Sequence, residues 1–362
     1  MTDGRVLPPL KLLYVNPAGD CNLRCGHCWV DPECSGLGFE CRGPLPGEIS
    51  PEHLGSILDE AARLGLEGVK FTGGEPLLRT DFPAFHAEAA GRGLRIVVET
   101  NGTLEPEGLW DVWSSLPPAF VAVSLDSADP RRHDSLRGTD GAWSRAMGFA
   151  GRLREAGVPF QFVMTIGEPD LPAVEAMARL AERSGASSLA VNFQESSGRS
   201  RRGFFDSIPA DEALEFIRRL DTRFGRNLIP NVPPAFLTLP RLVPLPTCPI
   251  LNILGVLPDG TASFCGIAFT RPELSMGRLT EKGALGRIWG SHPLLMELRT
   301  ALTGRRPEPC ASCIYGKSCV VHCAMQSYQR TGSFGAPDRL CAEAWSAGLF
   351  PESRRIAEQA ST

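Results

Sequence analysis

Cysteine is the residue type in this chain most able to do chemistry, and its twelve copies are unevenly placed: five fall at 21–41, none at 42–247 and seven at 248–341. The first group contains Cys21, Cys25 and Cys28 in a Cx3Cx2C loop. Three thiolates in one tight loop can hold three irons of a four-iron cluster, leaving the fourth iron open to another ligand. Two plainer readings stand beside this one: a zinc site completed by His27 or Cys41, and ordinary buried thiols. Zinc sites tend to grow from two separated ligand pairs, so three bunched cysteines suit iron better.

Further groups capable of binding sit at the ends of β-rich runs. Phe71-Thr72-Gly73-Gly74-Glu75-Pro76 puts two residues without side chains where backbone can approach a ligand, followed by an acceptor for a cationic amine. Placed one βα unit after Cx3Cx2C, it is far more specific than a bare tight turn. Thr100 and Asn101 close the next run, and Ser124 and Asp126 the one after, where helix capping is the plainer explanation.

These residues together resemble the radical S-adenosylmethionine (SAM) superfamily. The resemblance implies that Cys21, Cys25 and Cys28 hold a 4Fe-4S cluster whose open iron is chelated by SAM. It assigns Gly73, Gly74 and Glu75 to the methionine amine, and Thr100, Asn101, Ser124 and Asp126 to other SAM contacts. Arg137 and Asn192 resemble the carboxylate- and ribose-binding positions. His27 stands where many relatives carry a bulky aromatic whose backbone meets adenine.

The C-terminal seven follow a longer pattern: Cys248, Gly260, Cys265, then Cys310-x2-Cys313-x5-Cys319-x3-Cys323, and Cys341. A pair of zinc knuckles would explain Cx2C alone, but the whole pattern resembles the SPASM domain, which carries two auxiliary 4Fe-4S clusters. Met276–Leu279 and Leu285–Trp289 resemble its linking segment. The resemblance gives Cys248, Cys265 and Cys323 to an inner cluster and Cys310, Cys313, Cys319 and Cys341 to an outer one. The eighth cysteine of some relatives is missing between Cys248 and Cys265, so the inner cluster has an open iron or a non-cysteine ligand, and sulfatase maturation is disfavoured.

The positioning elements are legible in outline. Runs at 11–16, 68–73, 94–100, 120–126, 159–166 and 188–194 are rich in Val, Ile and Phe with little alternation, as in parallel strands covered on both faces. Helical stretches lie between them; one opens at Ser50-Pro51 and another stops at Gly157. Six βα units with right-handed crossovers predict an α/β fold, a partial (β/α)6 TIM-like barrel with function at the C-terminal strand ends, followed by a small cysteine-rich iron–sulfur (SPASM) domain. We place the barrel at 1–209, a helix and Pro-rich connector at 210–246, and the SPASM domain at 247–362.

Composition removes other classes. Acidic and basic residues nearly balance, 41 against 37, so no positive field argues for nucleic acid. There is no membrane-length apolar run and no secretory signal, so the expected location is cytoplasmic, where thiols stay reduced unless they bind metal or do chemistry.

The resemblance implies reductive SAM cleavage to a 5'-deoxyadenosyl radical that abstracts hydrogen from a substrate, with electrons from a flavodoxin or ferredoxin. SPASM enzymes mostly modify ribosomally made peptides, by crosslinking, oxidation or epimerisation. Only twenty residues precede Cys21, so a peptide-recognition domain is absent or is a separate protein. A small-molecule dehydrogenase or epimerase, such as one acting on an antibiotic sugar, is the alternative; a non-catalytic iron–sulfur electron carrier is the alternative of another class. Cys34 and Cys41 remain over as surface or packed thiols, or as a hydrogen donor in an epimerase. Arg199, Arg201 and Arg202 form a basic patch, read either as a solvated loop or as a contact for acidic peptide or the SAM carboxylate.

Overall fold

The computed structural model describes residues 7–200, 203–206, 208–224, 227–238, 248–266 and 271–356. Arg201, Arg202 and the connector prolines Pro240, Pro244 and Pro246 lie outside them. The chain opens with β1 (Leu12–Val15), then the two-residue strands β2 (Asp20–Cys21) and β3 (Glu33–Cys34). Five βα repeats follow: α1 (Pro51–Ala62) and β4 (Gly68–Phe71), α2 (Phe82–Ala90) and β5 (Arg95–Thr100), α3 (Leu109–Ser115) and β6 (Phe120–Ser124), α4 (Pro130–Arg137) with α5 (Ala142–Glu155) and β7 (Phe160–Ile166), then α6 (Leu171–Ser184) and β8 (Leu189–Phe193). All six expected strands form. Ser50 caps α1 by accepting a hydrogen bond from the His53 amide at 3.2 Å, and Pro51 occupies the first turn, where its missing N–H costs nothing.

The strands alternate more than the sequence suggests. In β7 the pattern runs buried, half-buried throughout its seven residues. Leu13, Val15, Val98, Val121, Phe162, Met164 and Val191 are sealed on one face beneath the helices. The opposite face carries Tyr14, Lys70, Glu99, Ser124, Thr165 and Asn192 and opens on a cavity. The barrel interior is therefore a site rather than a second core layer.

The sheet also extends beyond six strands. After α7 (Ala210–Arg223) come β9 (Leu228–Pro230), β10 (Ile253–Val256) and β11 (Ala262–Ser263), and the order is β11-β10-β1-β4-β5-β6-β7-β8-β9. β10 runs parallel to β1 in the register Leu12↔Ile253 to Val15↔Val256, so the segment beginning at Cys248 enters the sheet beside its first strand. Helices α8 (Ala284–Ser291), α9 (Pro293–Thr303), α10 (Ala324–Thr331) and α11 (Arg339–Ser346) follow.

Candidate functional site

Each motif occupies a strand end, and the backbone there is tightly docked. The Glu75 amide donates to Asp20 O at 3.0 Å, which fixes the turn after β4 against the residue preceding Cys21. A Cβ on Gly74 would lie 1.9 Å from that same oxygen, and Gly73 has φ 122°, so both positions require glycine. Asp20 is itself clamped by Arg42, whose guanidinium also grips Glu48. On the other side of the cysteine loop, the amides of Arg24 and Gly26 donate to the carbonyls of Arg137 and Leu136 at 3.1 and 3.2 Å. The C-terminal carbonyls of α4 thus find their partners in the loop carrying Cys25 and Cys28.

Glu75 is buried. Its carboxylate accepts from Thr100 Oγ1 at 2.7 Å, the Asn101 amide at 2.7 Å and the Leu77 amide at 3.0 Å. Burial pushes its pKa up to about 7 against these three donors, which hold the anion in place. Thr100 and Asn101 thus steady Glu75 and the loop: Asn101 Nδ2 donates to Asn22 Oδ1 at 2.9 Å and lies 3.8 Å from Cys21 Sγ.

Asp126 is also buried, with Arg137 Nε at 2.7 Å and His27 Nε2 at 3.3 Å. It accepts from the Thr165 amide at 3.0 Å. Burial works against its charge, but Arg137 first, and then His27, keep it below the usual carboxylate range. Arg137 and His27 line the cavity; Asp126 stands behind them and is not part of the lining. Arg137 also reaches Cys25 Sγ at 3.6 Å. Removing a partner from a buried pair leaves an uncompensated charge, so Arg137→Met is expected to cost about 3–5 kcal/mol. The midpoint of urea unfolding checks this, and a loss below about 1 kcal/mol would show the pair to be solvated like a surface bridge.

The cavity has a volume of about 620 Å³. Cys21, Cys25 and Cys28 line it together with Gly73, Gly74, Glu75, Ser124 and Asn192, and so do Cys248 and Cys323. The thiols group around three of their number, Cys21, Cys323 and Cys341. Burial and then Glu75 raise Cys21, with Cys25 and Cys28 adding to the effect. Burial raises Cys323, and Cys265 and Cys248 raise it further. Burial and Asp338 raise Cys341, followed by Cys319, Cys310 and Cys313. Those last four also surround a separate small chamber beside Arg306 and Tyr315. Among the described residues no three His, Cys, Asp or Glu side chains converge as donors to a single ion would. Three, three and four buried or half-buried cysteines make up these sets, a donor chemistry that fits iron–sulfur clusters. No two of the twelve cysteines form a disulfide.

A left-handed stretch separates two of these sets. Val320, Val321 and His322 have φ of 46°, 57° and 65°, a conformation costing non-glycine residues roughly 1–2 kcal/mol each. It lies between Cys319, in the outer set, and Cys323, in the inner one.

Several residues placed here have no motif to announce them. Lys70 pairs with Glu99 and lies 4.9 Å from the Tyr14 ring centroid. Burial opposes the Lys70 charge, but Glu99 and Tyr14 outweigh it and the pKa rises; Tyr14 is pushed up to about 12, mainly by burial. Glu195, Asn231, His322, Gln326 and Gln329 complete the wall. Alternation within β1, β4 and β5 was the signal for the first three; nothing local marked the others. Arg199 does not greet solvent alone: it pairs with Asp31 at 2.7 Å and donates to the Cys25 and Pro32 carbonyls, tying down the cysteine loop. Neither Cys34 nor Cys41 lines the cavity; Cys34 pairs with Cys21 across β2 and β3, and Cys41 Sγ lies 3.4 Å from Leu77 O.

Comparison with known proteins agrees with this arrangement. Residues 15–181 match the Radical SAM superfamily model. The chain is 27% identical over 360 residues to AdoMet-dependent heme synthase of Nitratidesulfovibrio vulgaris, covering 92% of each. It is 25% identical over 339 residues to PqqA peptide cyclase of Granulibacter bethesdensis, covering 92% of this chain and 87% of the cyclase. Streptococcus suis SuiB, solved with its precursor peptide SuiA, shares the fold with a TM-score of 0.68 at 18% identity, over 92% of this chain and 76% of SuiB. No helix among the described residues is long and apolar enough to cross a membrane. A radical SAM domain over residues 15–181, on the barrel that carries it, makes this chain an enzyme of the radical SAM type, with a 4Fe-4S cluster and SAM as cofactors.

Proposed function

We propose that the enzyme modifies a ribosomally made peptide by radical hydrogen abstraction, leading to a crosslink, an oxidation or an epimerised residue. The observation that carries this reading is the single cavity lined by Cys21, Cys25 and Cys28 and also by Cys248 and Cys323. In it, Cys21, Cys25 and Cys28 would hold the SAM-binding cluster. Cys248, Cys265 and Cys323 would hold the inner auxiliary cluster, and Cys310, Cys313, Cys319 and Cys341 the outer one. When bound, these cofactors supply the 5'-deoxyadenosyl radical and a route for electrons.

The chain's own residues bind and orient. Gly73 and Gly74 would admit the methionine end of SAM to the strand end, and Glu75 would offer its amine a carboxylate already aimed by Thr100, Asn101 and Leu77. Ser124 and Asn192 line the same wall, and Arg137, backed by Asp126, would hold the SAM carboxylate. The proposed domain division, with a connector at 210–246, lets the C-terminal segment return beside β1 and bring its cysteines to the cavity. A flavodoxin or ferredoxin would supply electrons, and a separate protein would present the peptide.

The heme-synthase likeness favours a second reading, a heme-related substrate. Such a tetrapyrrole brings carboxylates, whereas the cationic side chains of the cavity wall already have anionic partners. Lys70 is held by Glu99 and Arg199 by Asp31, and Arg137 would be taken by the SAM carboxylate. The peptide reading fits this wall better. Coexpression with a peptide encoded beside the gene, followed by mass spectrometry, tests it. A loss of two hydrogens indicates a crosslink or oxidation, and altered stereochemistry at unchanged mass indicates epimerisation. An untouched peptide beside a converted porphyrin would overturn the reading.

A further inference from the structure

We propose that the cavity wall where the residues after β8 meet His322 and α10 is a subsite for a cationic side chain of the substrate, lysine or arginine, with the Glu195 carboxylate as its counter-charge. This rests on the reading of the substrate as a peptide.

The charged groups around this one cavity are unevenly paired. Five side chains able to carry positive charge line the cavity, and each has an anion: Lys70 has Glu99, Arg137 and His27 share Asp126, Arg199 has Asp31, and His322 has Asp338 at 3.1 Å. Among the described residues three carboxylates line it, and only Glu99 has a cation. Glu75 is satisfied by three hydrogen-bond donors and is accounted for by the SAM amine. That leaves Glu195, whose carboxylate has neither an ion pair nor a hydrogen bond among the described residues.

Its surroundings make this costly. Burial first, and then Asp338 at the N-terminus of α11, raise the Glu195 pKa to about 7. His322, Arg339 and Arg330 act in the opposite sense, but each is engaged elsewhere. His322 bonds Asp338 and Asn231, Arg339 is held by Asp206 and Glu343, and Arg330 donates to Pro337 O. A half-buried carboxylate short of counter-charge attracts a cation more strongly than a surface carboxylate does, because the surrounding medium screens it less.

The neighbouring groups suit a peptide. Asn231, Gln326 and Gln329 present side-chain amides to the same space, and Gln329 Nε2 donates to Ser197 Oγ at 3.2 Å. Amides both donate and accept, so they can bond the peptide backbone that delivers the cation.

The test is calorimetric titration of the anaerobically reconstituted enzyme at pH 8. The probes are acetyl-Gly-Lys-Gly-amide, its norleucine and glutamate counterparts, and butylamine. The lysine peptide is expected to bind about tenfold more tightly than the norleucine peptide, with the glutamate peptide weakest. Lowering the pH from 8 to 6 takes the carboxylate from roughly one-tenth to nine-tenths protonated, so lysine-peptide affinity falls about tenfold while norleucine-peptide affinity holds. In Glu195→Lys the order reverses, which a misfolded protein would not do. Wild-type enzyme showing no preference for the lysine peptide overturns the subsite, whatever the variant does. Butylamine binding as tightly as the lysine peptide, in a Glu195-dependent way, would uphold the cation subsite and sink the peptide reading instead.

Discussion

Replacing Cys21, Cys25 and Cys28 together by alanine is expected to lower the iron content of the reconstituted enzyme from about twelve to about eight per chain and to abolish 5'-deoxyadenosine release. The prediction follows from the thiols' separation into three sets. Cys21 feels Cys25 and Cys28 among the thiols, whereas Cys323 feels Cys265 and Cys248, and Cys341 feels Cys319, Cys310 and Cys313. Emptying one set should therefore leave the others able to assemble. The complementary variant, with Cys310, Cys313, Cys319 and Cys341 replaced, should also lose about four irons yet retain SAM cleavage, because those four face a different chamber. Replacing Cys34 and Cys41 should change neither quantity, since neither lines the cavity. Iron and acid-labile sulfide analysis together with product chromatography gives both readouts. A first variant that kept about twelve irons would show that these cysteines are not a cluster set.

How much of this was legible in the chain depends on the range of the interactions involved. The six strands and the motifs at their ends could be read because each motif directly follows its own apolar run, as Gly73 to Glu75 follow β4 and Thr100 closes β5. The grouping of the C-terminal cysteines came from a resemblance and not from spacing, since Cys319 and Cys323 are near neighbours in the chain yet belong to different sets. What separates them is the left-handed stretch at Val320–His322, two of whose three residues are β-branched valines that rarely adopt it. The joining of β10 to β1 was not legible either: Ile253–Val256 is a short apolar run whose partner lies at the other end of the chain. Glu195 and His322 share a wall only because of that return, so neither could be recognised alone. The barrel interior was misjudged for a related reason. Tyr14, Lys70 and Glu99 alternate with buried residues, but in strands of four to six residues a single polar position is weak evidence of an open face.

Gly74→Ala tests the construction of the SAM pocket without touching any ligand. The added Cβ would lie 1.9 Å from Asp20 O, so either the turn after β4 or the loop entering Cys21 has to move. Neither side yields easily. Glu75 donates its amide to that same oxygen, Arg42 grips the Asp20 side chain, and the fully buried Arg79 donates to the Pro17 carbonyl at 3.1 Å. A movement of about 1 Å would carry the Glu75 carboxylate away from the place proposed for the SAM amine, and misplacement on that scale costs about a hundredfold in rate. The variant is therefore expected to bind SAM weakly and to release 5'-deoxyadenosine about a hundredfold more slowly than wild type, with its iron content close to wild type. Gly26→Ala is the matched control. It lies inside the cysteine loop, yet an added Cβ would meet no atom within 4 Å, so rates near wild type are expected. Equal rates in the two variants would mean that the close approach at Gly74 does not set the position of Glu75. A slow Gly74 variant beside a normal Gly26 variant would place the steric limit at the contact between the turn and Asp20.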